Sequence, residues 1–99
     1  MNKIIVSGNI CKDFEVAKKS NFVVANSSIA VYNGKDKDGN AQSIFFDLKV
    51  FGEYANKMTA HKGDKVIVVG RLSRRDYNNK TYLEIIVENI EKVNAPKTE

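Results

Sequence analysis

The chain alternates strand and turn along almost its whole length, and one short stretch breaks the rhythm. Asn2–Cys11 is rich in β-branched residues and carries Gly8 in mid-run, the mark of a bend or bulge. Phe14–Ala17 continues that strand after a kink. Phe22–Tyr32 is a long second strand, and the polar, glycine-bearing stretch Asn33–Asn40 is a loop. Ser43–Phe51 is a third strand. Lys65–Tyr77, bent at Gly70, and Lys80–Val93 are the fourth and fifth, joined by Asn78-Asn79, a two-residue turn of a type that tolerates positive φ. The exception is Glu53–Lys62. There Tyr54, Ala55 and Met58 share one face of a short helix, and Gly63 stands where a helix stop is expected.

The order β-β-β-α-β-β, with long strands bent at glycines, describes a five-stranded Greek-key barrel of the OB type, with its helix between the third and fourth strands; a five-stranded sheet with an unclosed edge is the alternative. Ninety-nine residues allow one domain. The barrel is expected to span 1–93 and a short flexible end to span 94–99, which holds the only proline. One cysteine excludes an internal disulfide, and one histidine with one cysteine excludes the common His/Cys zinc clusters. No apolar run reaches the roughly 18–20 residues of a membrane helix, and Ser7-Gly8-Asn9 ends the first apolar run too soon for a signal-peptide core. The expected setting is cytoplasmic, with no metal and no cofactor.

Charge is unevenly placed. The net +4 of the whole chain equals the net +4 of residues 62–80, where all three arginines fall between 71 and 75. Such a local patch suits either a solvated face or a polyanionic partner. Strand alternation narrows the choice. In the third strand Phe46, Leu48 and Val50 take the core parity, leaving Phe45, Asp47, Lys49 and Phe51 on the other face. In the fourth, Val66, Val68, Gly70 and Leu72 take the core parity, leaving Arg71, Ser73, Arg75 and Tyr77 outside. Paired, these outer faces set Phe45, Phe51 and Tyr77 among Lys49, Arg71 and Arg75. Aromatic rings stack on nucleic-acid bases for about 1–3 kcal/mol each, whatever the base, so three give roughly 3–9 kcal/mol before ordering costs. The alternative is a second packing face against a neighbouring strand or subunit.

Other residue types that can carry chemistry have ordinary explanations. Cys11 is a small semi-buried hydrophobe and His61 a solvated residue at the helix end. Asp36, Asp38 and Asn40 match the spacing of three calcium-loop ligands, but the stretch reads as a solvated polar loop. No nucleophile–base pair and no paired carboxylates support an enzyme.

Met1–Ile10, Val24–Ala30, Phe45–Gly52, and Lys62-Gly63-Asp64 running into Val69-Gly70-Arg71-Leu72 together resemble bacterial-type single-stranded DNA-binding proteins, in order and from residue 1 to about 93. The resemblance implies an OB-fold, sequence-tolerant binding of single-stranded DNA and a homotetramer. It puts stacking aromatics at Phe45, Phe51 and Tyr77, and a further one near Lys35, with Tyr32 as the substitute. It makes Lys3, Lys49, Arg71 and Arg75 the phosphate contacts. Phe46 and Tyr82 are candidates for the subunit interface. Three departures stand out: there is no tryptophan, Gly52–Gly63 is slightly short, and residues 84–99, at a net −2, lack the acidic tail and hydrophobic tip through which the family recruits other proteins. The expected function is to protect single-stranded DNA and keep it unpaired in replication, recombination and repair. The rivals are an OB-fold interaction subunit of a primosome or recombination assembly and an RNA-binding protein.

Overall fold

The computed structural model describes residues 1–56 and 58–93. Six strands and one short helix follow in the order β1 (Ile4–Ile10), β2 (Glu15–Lys18), β3 (Val23–Lys35), β4 (Ala41–Phe51), α1 (Glu53–Asn56), β5 (Lys65–Tyr77) and β6 (Lys80–Lys92). The sheet runs β1-β5-β6-β4-β3-β2, and a further β1–β3 pairing closes it into a barrel. β1 and β2 are two pieces of one expected strand. Both lie antiparallel along β3, and the register slips by two residues across the break at Cys11–Phe14. Counted this way the barrel has the five strands of an OB-fold. The expected flexible end, 94–99, lies outside the described residues.

The core is the inward parity of these strands. Ile10, Ala25, Ile29, Leu48, Val50, Val66, Val68 and Ile85 are almost fully buried. Closure depends on two glycines. Gly8 sits where β1 passes from β5 to β3, and a Cβ there would lie 2.1 Å from the Ala30 carbonyl oxygen. Gly70 sits at a bulge in the β5–β6 pairing, and a Cβ there would lie 2.3 Å from the Ile86 carbonyl oxygen. Backbone passes backbone too closely at both points for a side chain.

Two hairpins reach beyond the barrel. β4 and β6 pair in parallel only from Asp47 to Lys49 against Glu84 to Ile86. On the N-terminal side of those residues the β3–β4 and β5–β6 hairpins part into separate arms. Leu72 keeps the core parity but is exposed; it lies beyond Gly70, the last β5 residue paired with β1. Asn78 and Asn79 have φ of 51° and 64°, the left-handed pair that a tight two-residue hairpin needs.

The helix is shorter than its sequence pattern. α1 spans four residues, pinned by buried Ala55 and by the Tyr54 hydroxyl, which accepts from the Ile90 amide (2.9 Å) and donates to the Ile90 carbonyl (3.2 Å). From Met58 onward the chain is not helical. Side chains take the amides that a longer helix would use: His61 N donates to the Asp64 carboxylate (2.8 Å) and Lys62 N to that of Asp13 (2.9 Å). Gly63, with φ +91°, serves this turn into β5 and is not a helix cap.

Candidate functional site

The site is built from register. On the outer face, β3, β4, β6 and β5 lie side by side and their residues fall into rows. One row is Asn26, Lys49, Ile86 and Arg71; the next is Ser28, Asp47, Glu84 and Ser73. Two residues further along, where the arms begin, stand Ala30 with Phe45 and Tyr82 with Arg75. Tyr32 follows on β3 and Tyr77 on β5. Two residues in the opposite direction, Val24 pairs with Phe51. Phe51, Lys49 and Arg71 therefore share the outer parity of the barrel, which continues along the β3–β4 arm with Phe45 and Tyr32 and along the β5–β6 arm with Arg75 and Tyr77. Phe45 is 64% exposed and Tyr77 61%, and Phe51 and Tyr32 are also open.

The cations on this face are largely paired in the free protein. Lys49 Nζ lies 3.8 Å from Glu84 Oε2, and Arg75 Nη2 lies 3.5 Å from Asp47 Oδ2. The Arg75 guanidinium also covers the Tyr82 ring, 4.8 Å from its centre. Lys3, one residue before the Ile4–Gly70 pair and so beside Arg71, is bonded to Glu88. Arg71 has no carboxylate within 4.0 Å among the described residues. A cavity of about 290 Å³ opens between Lys12, Asn26, Asp47, Lys49 and Arg75. Flat open rings beside cations that can exchange a carboxylate for a phosphate suit a polyanion bearing aromatic bases.

Lys35, Phe46 and Tyr82 stand apart from the Lys49–Arg71 row. Lys35 lies past a bulge at the tip of the β3–β4 arm, nine residues beyond Asn26 and about 30 Å away at about 3.3 Å per strand residue. Phe46, expected at a subunit interface, is 8% exposed and packed in the chain's own core, as its parity with Leu48 and Val50 dictates. Tyr82, the other interface candidate, stands on the aromatic face under Arg75. Two features escape sequence reasoning. One is the set of ion pairs, which join residues far apart in the chain. The other is Phe22, whose ring centre lies 6.0 Å from that of Phe51 at an interplanar angle of 56°. Its parity with Val24 and Asn26 was the available signal.

Asp36 organises its own loop: Oδ1 accepts from the amides of Asp38 and Asn40 (2.9 Å each) and Oδ2 from Gln42 (3.1 Å). Among the described residues no group of three His, Cys, Asp or Glu could hold a metal ion, and no helix is long and apolar enough to cross a membrane.

Residues 1–93 match the family model described as the single-strand binding protein family. Single-stranded DNA-binding protein 3 of Streptococcus agalactiae is 31% identical over 100 residues, covering 92% of this chain and 72% of that protein. The single-stranded DNA-binding protein of Aquifex aeolicus is 28% identical over 107 residues, covering 98% of this chain and 73% of that protein. The crystal structure of a small single-stranded DNA-binding protein from Streptomyces coelicolor superposes with a TM-score of 0.77 at 24% identity, covering 94% of this chain and 95% of that one, so the two share a fold.

Proposed function

The chain belongs to the single-strand binding protein family, and from that membership we propose that it binds single-stranded DNA by stacking and electrostatics, without catalysis. The observation that carries this reading is the outer face itself. Tyr32, Phe45, Phe51 and Tyr77 present open rings along the same surface as Lys49, Arg71 and Arg75. Bases stack on the rings whatever their identity, and phosphates take the cations. Lys3 extends the basic row at its β1 end, and Lys35 serves only a strand long enough to follow the β3–β4 arm. In the cell the protein would coat DNA exposed during replication, recombination and repair and keep it unpaired. Family likeness further supports a homotetramer. The partly unpaired edge of β1, with exposed Ile5, is the segment available to a second copy.

The test is fluorescence anisotropy of a labelled oligo-dT against a duplex of equal length at two salt concentrations, with a matched RNA strand as competitor. Preference for single-stranded DNA over both supports the proposal. Equal or absent binding sinks it and returns the protein to the interaction-subunit reading; preference for RNA changes the ligand. Light scattering during gel filtration tests the tetramer.

A further inference from the structure

Beyond the residues already assigned to the face, we propose that Phe22 and Lys19 form an additional nucleotide subsite at the β2–β3 hairpin. It extends the track past Phe51, and it rests on the DNA-binding reading above. Phe22 lies outside β2 and β3, in the turn that joins them. Its carbonyl accepts the Lys19 amide (2.7 Å), which makes the two residues cross-strand partners in the register of Ala17 with Val24. Both thus stand on the outer parity, next to Phe51, the partner of Val24 on its other side. Val24 belongs to that parity and is nonetheless buried, so the neighbouring side chains already cover it. Phe22 is left 49% exposed, more than a ring serving only as a cover needs to be.

The geometry fixes how the subsite would be used. At 6.0 Å and 56°, Phe22 and Phe51 make a V and not one flat platform. Successive phosphates of a B-form strand are about 3.4 Å apart along the axis, so bases on the two rings have to be unstacked from each other. That suits a flexible single strand and excludes a regular duplex. One base lies on Phe51, its neighbour lies on Phe22, and exposed Lys19, with Lys18 beside it, takes the phosphate that follows.

The absence of tryptophan makes a clean test possible. Phe22→Trp and Phe51→Trp each give a protein with a single tryptophan, to be titrated with oligo-dT while thermal melting checks folding. Quenching of both reporters is the expected result. Phe22→Ala should weaken binding about 5- to 10-fold, the low end for one stacked base, and shorten the occluded site. Phe22→Leu, which keeps an apolar cover over Val24 without a ring, should bind as weakly as Phe22→Ala. If Phe51→Trp is quenched and Phe22→Trp is not, or if Phe22→Leu restores full binding, the subsite is overturned while the DNA-binding reading stands. If neither reporter responds and anisotropy shows no binding, the parent reading falls and takes the subsite with it.

Discussion

Glu84 is a buried carboxylate, 7% exposed, in the middle of the face proposed to take phosphate. Its Oε2 makes no hydrogen bond and sits 3.8 Å from Lys49 Nζ. An approaching phosphate must compete with that carboxylate for Lys49 and is also repelled by it. Glu84→Gln keeps the shape, removes the charge and releases Lys49. Two unit charges 4 Å apart in water interact by about 1 kcal/mol, so oligo-dT should bind about 2- to 5-fold more tightly to the variant in anisotropy titrations. Weaker binding would show that Glu84 positions Lys49 and does not compete for it. Phe45→Ala acts in the opposite direction. Its ring is open and pairs with no other ring among the described residues, so its loss should weaken binding about 5- to 150-fold while the melting temperature barely moves. Strand parity alone was enough to place Phe45, Phe51, Tyr77, Lys49, Arg71 and Arg75 on one side. It could not reveal Glu84 beside Lys49 or Phe22 beside Phe51, because those contacts depend on which strands pair and in what register.

Among the elements, the corners hold the barrel closed. A β-carbon at Gly70 would meet the Ile86 carbonyl, a backbone atom that cannot swing aside as a flexible side chain could. Gly70→Ala should therefore cost about 1–3 kcal/mol by overpacking, seen as a fall in Tm of about 4–8 °C for each kcal/mol. An unchanged Tm would mean that the bulge at Val69/Gly70 relaxes freely. The β3–β4 loop has its own chemistry. The Asn40 amide, with those of Asp38 and Gly39, holds the Asp36 carboxyl below its ordinary value of 3.8. The ionised form is the one the fold favours. The loop's support is complete above that value and is lost as pH falls through the lower, folded value. An NMR titration of the Asn40 amide should thus have its midpoint below 3.8; a midpoint at or above it would contradict the capping role. The mid-strand glycines and the Asn78-Asn79 turn were legible because backbone geometry restricts the residues that can stand there. The helix length was not. Amides that could have continued α1 toward Lys62 are taken by Asp64 and by Asp13, and Asp13 lies 49 residues from its partner Lys62.

At the scale of the whole molecule, the net charge of +4 overstates how much free positive charge the proposed binding face offers. Of the four cations that the family resemblance assigns to phosphate, Lys3, Lys49 and Arg75 each face a carboxylate, and only Arg71 does not among the described residues. A cation that leaves a carboxylate for a phosphate releases counterions from DNA but exposes an anion that gathers them again. The net release then approaches that of Arg71, with Lys19 adding a second where the β2–β3 subsite is used. Four newly neutralised phosphates would give a slope of log K against log salt of about −2.8 at about −0.7 each; the expected slope here is between about −0.7 and −1.4. Stacking does not depend on counterions, so binding should persist at salt concentrations that dissolve a purely electrostatic complex. The same measurement on Glu84→Gln should be steeper by up to about 0.7, one phosphate's worth. A slope near −2.8 for the unmodified protein would mean that its ion pairs are too loose to compete, and that charge is a larger part of the affinity than the open rings on its outer face.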